Sequence, residues 1–592
     1  MKNFKIIILL TLVLIITFVA FSPCLKNRFV NWDDDLYVTK NTVIQSFSFH
    51  SVKQIFTSFF VSNYQPLTML SYLFEYRFFK LAPFGYHLTS LILHLLNCLL
   101  VFWLIYILTQ RISISSITTL LFGLHPLHVE SVAWISERKD LLYTLFFLAA
   151  IICYCYYLRT RKIGKYYYFA LALFTLSLLS KAMAVILPFI LLNIDYFICR
   201  ERDRNTLIDK IPFFILSFIF GVIAVIGQYV SGAIRGGNGT NLFNKVATAN
   251  YSIMFYLNKT FMPIKLSCLY PRMDIHFTPE LLMLPSIYII LCITILFFGA
   301  YKKKIIFSNA FFLISILPVL QFIPIGETIV ADRYMYLPSI GIFYLVAEGL
   351  VWLYKDIAKY RRVIKIIVLT FLACVISILV LLTRERCKVW KDSLTLWNDV
   401  IDKYPNSIMA YNNRGIAFSS KKEYDKAISD FNHVIGFVSD IDRKTIHLYL
   451  IGLYRAIGKN EEAMESYNKI KAIDAGLFRQ YYESGSKYKE AGKNNEAIVL
   501  YRMALELDPN NLALNNELGI TYIFVGRFKE AIALFKKVLE INPDFALIHN
   551  NLALAYYYEK KYALAIRHCD RAIDLGYVVA PRLLELLNPY RK

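Results

Sequence analysis

Residues 88–109 read LTSLILHLLNCLLVFWLIYILT, and residues 113–132 read SISSITTLLFGLHPLHVESV. Each run has about the length of the ~20 apolar residues that a helix needs to cross a bilayer. Only Gln110, Arg111 and Ile112 separate them. Outward from this pair, comparable runs lie at 6–22, 141–158, 166–182, 183–199, 211–230, 285–300, 306–324, 336–354 and 363–382, which makes eleven candidate spans. The pattern predicts an all-α chain whose residues 1–383 form a polytopic membrane domain. The weakest pair is 166–182 with 183–199, because Lys181 stands at their join.

Composition agrees. The 592 residues are 57% hydrophobic and only 18% charged, against about a quarter in soluble chains. That excludes an ordinary soluble enzyme, and 23 Gly with 18 Pro exclude a low-complexity chain. Residues 1–383 carry 34 Lys+Arg against 17 Asp+Glu, and residues 384–592 carry 31 against 26. The basic surplus of the first part is grouped at 159–165, 200–210, 302–304 and 355–365, between apolar runs. That is how cytoplasmic loops read, and it is not a nucleic-acid surface. With Lys2 and Lys5 also cytoplasmic, an odd number of spans places residues 384–592 outside the cytoplasm. Segment 246–264 is apolar but carries Asn250, Asn258, Lys259 and Pro263, and is read as a horizontal or re-entrant helix. Residues 6–22 read as an uncleaved signal anchor, since no small-x-small site follows. No CxxC pair occurs among the ten cysteines, so no redox or zinc motif is present.

The second part repeats itself. Ala427, Ala463, Ala497, Ala531 and Ala565 recur at spacings of 36, 34, 34 and 34. Gly415, Gly452, Gly485, Gly519 and Ala553 keep the same period, and Asp508-Pro509 and Asn542-Pro543 close two of the units. Small residues where two helices cross and Pro after the second helix describe about five tetratricopeptide repeats. The predicted organisation is a membrane domain over 1–383, a linker over 384–404, and a repeat α-solenoid with a C-terminal cap over 405–592. Such a solenoid offers a concave face to a peptide or protein.

Three clusters at the outer ends of spans could carry chemistry. The first is Trp32-Asp33-Asp34-Asp35, in the external loop 24–86. Adjacent carboxylates there read as a solvated turn, as a general base, or as a base shared with a divalent cation such as Mg or Mn. The second is His125-Pro126-Leu127-His128-Val129-Glu130, followed by Glu137, Arg138, Lys139 and Asp140. His125, His128 and Glu130 lack a recognised zinc spacing, so Arg138 and Lys139 meeting an anionic group is the favoured reading. The third is Gly326-Glu327 with Asp332-Arg333-Tyr334. Arg333 either closes a structural network with Asp332 and Glu327 or holds a lipid-linked phosphate through its planar fork. No phosphate-binding Gly loop, Gly-x-Ser-x-Gly elbow or His-Glu-x-x-His motif occurs.

The motifs FVNWDD (29–34), HPLHVESVAWISERKDL (125–141) and DRYMYLPSIG (332–341) resemble those of the transmembrane and tetratricopeptide repeat O-mannosyltransferases of the GT-C superfamily. The resemblance covers nearly the whole chain and implies inverting transfer of a sugar from a polyprenyl-phosphate donor to Ser/Thr hydroxyls outside the cytoplasm. It implies Asp33 and Asp34 as the catalytic position, with Asp35 an extra neighbour. Arg333, Arg138 and Lys139 are the expected donor-phosphate ligands, supported by Asp35, His125, His128, Glu130, Glu327 and Asp332. A Lys/Ile/Asn-rich composition points to a bacterial inner membrane and to a sugar that need not be mannose. The rival reading is a non-catalytic membrane anchor whose repeats gather envelope proteins. A pure anchor needs one span, and a transporter would carry more charges inside its spans.

Overall fold

The computed structural model describes residues 2–160, 163–198, 205–230, 242–271, 301–322, 328–357 and 362–591. Among them no strand forms beyond one isolated bridge, Phe60 with Asn63. The chain divides into two compact units, residues 1–421 and 422–592.

The first unit opens with α1 (Lys2–Phe21). Val13, Thr17, Ala20 and Phe21 are buried, whereas Ile7, Leu12 and Ile15 are bare. A helix apolar on all sides and exposed on one is a lipid-facing helix. In the loop after α1, a short helix Phe49–Thr57 precedes α2 (Pro66–Phe79). The bundle continues with α3 (Pro83–Thr109), α4 (Ile112–Leu124), α5 (Arg138–Thr160), α6 (Lys165–Ser180), α7 (Leu187–Phe197) and α8 (Ile211–Val230). Then follow α9 (Leu242–Phe261), α10 (Lys302–Ile316), α11 (Ser339–Trp352), α12 (Arg362–Val389), α13 (Ser393–Lys403) and α14 (Ile408–Ser420).

Among the described residues, five helices are long and apolar enough to cross a membrane: Phe4–Lys26, Pro83–Thr109, Ile135–Thr160, Ile211–Val230 and Arg362–Val389. The expected span 113–132 is a pair bent by 53°, Ile112–Leu124 and Pro126–Ala133. Pro126 causes the break, because it has no N–H to donate and its ring clashes with the preceding turn. The expected spans 166–182 and 183–199 become α6, of 16 residues, and α7, of 11 residues, joined by a 3-10 turn at Ala182–Ile186. At 1.5 Å per residue neither reaches the ~30 Å of a hydrocarbon core. In place of 306–324 and 336–354, α10 runs on into a 3-10 turn at Leu317–Val319 and α11 into a π turn at Leu353–Ile357, and neither is among those five. Segment 285–300 lies outside the described residues. The helix α9 has the length but not the apolarity of a crossing helix.

Lipid is as apolar as Leu, so close packing and interhelical hydrogen bonds, each worth about 0.6 kcal/mol, hold such a bundle. Asn193 Nδ2 donates to Phe307 O at 2.9 Å, Ser177 Oγ to Tyr143 O at 2.8 Å, and Thr383 Oγ1 to Leu124 O at 2.7 Å. At Gly341 a methyl group would meet Ser308 O at 2.5 Å, so α10 and α11 touch backbone to backbone. Residues 384–404, predicted as a linker, are the end of α12 and all of α13, and they sit within the first unit.

In the second unit, antiparallel helices follow the predicted period: Tyr424–Val434, Asp440–Ala456, Asn460–Glu490, Asn494–Leu507, Leu512–Phe524, Phe528–Ile541, Ala546–Tyr558 and Tyr562–Asp574. The short helix Pro581–Leu587 follows them. Methyl groups at Gly485 and Gly519 would strike the rings of Tyr501 and Phe535, which explains the small residues at the helix crossings. The 31-residue helix Asn460–Glu490 fuses the end of one repeat to the start of the next. Its cause is local: Pro509 and Pro543 stop their helices, but the equivalent position holds Ala475, which a helix accepts. A left-handed residue turns the chain within each repeat at Gly458, Gly492, Gly526 and Lys560, 34 residues apart. A side chain in that conformation costs about 1–2 kcal/mol. Lys560→Gly should therefore raise stability by about 1 kcal/mol, the gain being partly offset by the greater freedom of unfolded Gly. A melting curve of the full chain checks this; an unchanged or lower Tm would show that the left-handed turn is not strained.

Candidate active site

The site grows from the end of α1. A 3-10 turn at Ser22–Lys26 leads into the loop that carries Asn31, Trp32, Asp33 and Asp34, and a π turn follows at Asp35–Thr39. Asp34 is buried and its carboxylate is fully engaged. One oxygen accepts from Val30 N at 2.9 Å, and the other accepts from Ser136 N at 3.1 Å and Ser136 Oγ at 2.5 Å. Burial pushes its pKa up to about 7, against the pull of these three donors.

Asp33 differs. Its backbone is left-handed, with φ 66°, and its carbonyl accepts from Leu36 N and Tyr37 N at 3.0 Å each. Its half-buried carboxylate accepts no hydrogen bond among the described residues. Burial raises its pKa, Lys139 and Arg333 oppose this, and Glu137 and Asp35 add to it. Asp35 turns outward and pairs with Lys40 at 3.0 Å.

Opposite Asp33 stands an ionic network built from the second and third motifs. Glu137 is its hub, with Lys139 at 3.1 Å, Arg333 Nε at 3.3 Å and Lys181 at 3.5 Å. Lys181 also pairs with Asp140 at 2.5 Å. Arg333 binds Glu130 through its guanidinium and through its backbone N–H at 3.0 Å, and it lies over the rings of Trp134 at 5.3 Å and Tyr334 at 4.9 Å. Lys139 lies 5.0 Å from the centre of the Tyr37 ring.

Other expected site residues point elsewhere. Arg138 is fully buried, paired with Glu75, donates to Tyr86 O at 2.7 Å and stacks on Tyr72 at 4.9 Å. His125 binds Thr260 O at 2.9 Å; His128 binds Phe122 O at 2.7 Å and Ser339 Oγ at 3.1 Å. Both imidazoles are thus held inside the bundle. Asp332 accepts from Tyr270 OH at 2.6 Å, and its pKa is raised to about 6 by burial against the pull of Arg386, Lys259 and Lys403. Glu327 lies outside the described residues. Trp390 and Trp397 are buried, stacked on Trp134 at 5.6 Å and edge-on to Trp32 at 5.1 Å respectively.

Both oxygens of Asp34 already accept hydrogen bonds, and among the described residues no group of three His, Cys, Asp or Glu side chains converges as a metal site. Sequence reasoning missed Ser136, which anchors Asp34, and Lys181, the third cation at Glu137. A lysine interrupting an apolar run was the signal for Lys181.

The two aspartates separate by substitution. Asp34→Asn turns an N–H₂ toward a donor, so stability should fall by about 1–3 kcal/mol. Asp33→Asn breaks no hydrogen bond of its side chain and should leave the melting temperature nearly unchanged. Equal destabilisation by both variants would contradict the geometry.

A tetratricopeptide-repeat family model matches residues 488–555. The chain is 24% identical over 455 residues to a protein O-mannosyl-transferase of Caenorhabditis elegans, F38B6.6, covering 71% of this chain and 62% of that one. It is 25% identical over 458 residues to the human protein O-mannosyl-transferase TMTC3, covering 69% of this chain and 48% of that one. It spans about half to three fifths of the length of these relatives. The solved MamA protein aligns with 29% of this chain and 92% of its own, at 24% identity and a TM-score of 0.17. Over about seven tenths of its length the chain is similar to the transmembrane and tetratricopeptide repeat protein O-mannosyl-transferases, the family its three motifs resemble.

Proposed function

We propose that the chain is a membrane glycosyltransferase that moves a mannose-like sugar from a polyprenyl-phosphate donor to Ser/Thr hydroxyls of proteins outside the cytoplasm. The observation that carries this reading is Asp33: a half-buried carboxylate on a strained backbone, without a hydrogen bond, beside Lys139 and Arg333. Strained, unsatisfied acids between cations are unfavourable for folding and mark functional sites.

In this mechanism Asp33 takes the proton of the acceptor hydroxyl. The hydroxyl oxygen attacks the anomeric carbon and forms the new glycosidic bond. The bond from that carbon to the phosphate oxygen breaks on the opposite face, and the lipid phosphate departs with the electron pair. One displacement of this kind inverts the anomeric centre. Arg333 and Lys139 neutralise the departing phosphate, which takes over contacts that Glu137 makes in the donor-free protein. Asp34 does not touch substrate; it holds the loop. Arg138, sealed against Glu75, is left out of the donor site.

The repeats present the acceptor in this reading. Lys391, Ser393 and Asn413 are hydrogen-bonded to Arg28 and Asn31, which supports placing the start of the repeat sequence on the same membrane side as Asp33. The basic group that follows the last span is absorbed by the protein itself. Arg384 donates to Val19 O at 2.5 Å, Arg386 pairs with Asp399 at 2.8 Å, and Lys388 pairs with Glu385 at 2.6 Å.

General-base assistance is worth about 10²–10⁴-fold, so Asp33→Asn should lose that much transfer to a Ser/Thr peptide in proteoliposomes. The base must be ionised, so the rate should rise with pH through a pKa above the ordinary aspartate value of about 3.9. Undiminished transfer by Asp33→Asn would remove Asp33 as the base. Separately, an impermeant thiol reagent should label a cysteine placed at residue 592 from the non-cytoplasmic side. Labelling from the cytoplasm would end the acceptor-presentation model.

A further inference from the structure

We infer that Asn31 is a positioning residue for the base, and that α13 and the start of α14 belong to the active site. This inference rests on the reading of Asp33 as the base.

Asn31 stands two residues before Asp33, and it spends its polar groups outside its own loop. Its backbone N–H donates to Ser393 Oγ at 2.9 Å, Nδ2 donates to Asn413 O at 2.7 Å, and Oδ1 accepts from Trp397 Nε1 at 2.8 Å. The three partners lie 362 to 382 residues away in sequence. The preceding residues are tied the same way: Asn27 Nδ2 donates to Cys387 O at 3.0 Å, and Arg28 N to Lys391 O at 2.8 Å. Trp32 packs edge-on against Trp397 at 5.1 Å and stacks on Trp134 at 5.9 Å, and Trp134 Nε1 donates to Trp32 O at 2.6 Å. The Arg333 guanidinium also lies against Trp134. A continuous set of contacts thus joins the first helix of the repeat sequence to both the base and the proposed phosphate ligand.

The backbone of Asp33 explains the need. A left-handed Asp costs about 1–2 kcal/mol and persists only where its surroundings over-determine it. On one side of Asp33, Asp34 is fixed by Val30 and Ser136. On the other side, the equivalent fixing is done by Asn31 through α13 and α14. Without it the peptide between residues 31 and 34 can relax, and the Asp33 carboxylate moves with it. A displacement of about 1 Å costs as much as 10²-fold in rate.

The experiment uses the full chain in proteoliposomes, with a polyprenyl-phosphate sugar and a Ser/Thr peptide. Asn31→Ala should lower kcat at least about tenfold with the donor KM changed less than about twofold, because positioning acts on the transition state. The acid limb of the pH–rate profile should shift as the surroundings of Asp33 change. Trp397→Phe keeps the ring packing but deletes the donor, and should give a smaller loss. The double variant should match Asn31→Ala alone, because Asn31→Ala already removes the one hydrogen bond that Trp397→Phe deletes. Asn31→Asp keeps the acceptor for Trp397 but turns an oxygen toward Asn413 O, and should lose at least as much as Asn31→Ala. A kcat within about threefold of wild type for Asn31→Ala, an unmoved acid limb, or fully multiplicative losses in the double variant would overturn the inference. Activity that falls only in proportion to folded protein, with kcat per folded molecule unchanged, would also overturn it. If Asp33→Asn is inactive while Asn31→Ala is unimpaired, only this inference fails. If Asp33→Asn remains active, the reading beneath it fails.

Discussion

The bonds from Ser136 and Val30 to the Asp34 carboxylate are the constraint on which the rest of the site depends. They join two loops 102 residues apart in sequence. Removing a carboxylate from water is unfavourable, and these donors offset that only with the geometry intact. Once Asp34 is fixed, the chain before it must enter through a left-handed Asp33. The neighbouring carboxylate is then held out of the hydrogen bonding that satisfies Asp34. Two adjacent aspartates thereby acquire opposite tasks, one structural and one available for chemistry.

The network around Glu137 follows a similar logic. Lys139, Lys181 and Arg333 converge on one buried carboxylate, with Glu130 and Asp140 completing the charge balance. Such buried pairs add little net stability, because desolvation offsets the attraction. They do hold three cations together inside an apolar bundle. The breaks that shorten α4 and α6 serve this arrangement. Irregular backbone at membrane depth is tolerated where protein encloses it. Pro126 and Lys181 stand at such breaks, and both bring polar groups to the same region.

The end of α12, α13 and the start of α14 reach the site directly rather than after a spacer. Trp390 and Trp397 pack on Trp134 and Trp32, Asn413 O accepts from Asn31, and Arg386 draws on Asp332 of the third motif. The pure-anchor reading gives no reason for those bonds. A transferase that must place an acceptor hydroxyl near Asp33 does.

The sequence by itself determined the all-α class, the repeat period, the sites of the small residues and the identity of the three charged motifs. Local rules suffice for these. Apolar run length marks spans, a 34-residue period marks helix pairs, and Pro or its absence at 475, 509 and 543 decides where helices stop. Local rules also mislead where a break depends on neighbours: two of the eleven expected spans, 166–182 and 183–199, become α6 and α7, which are too short to cross. Only the tertiary structure decided which aspartate is anchored, that Arg138 faces Glu75, that His125 and His128 serve packing, and that Lys181 and Asn31 belong with the site. The deciding partner lies 63 residues away for Arg138, 135 for His125, 102 for Asp34 and 382 for Asn31, and 41 away even for Lys181 with Asp140. A hydrogen bond or ion pair is made in space, and nothing in the order of the residues records which distant group will supply its other half.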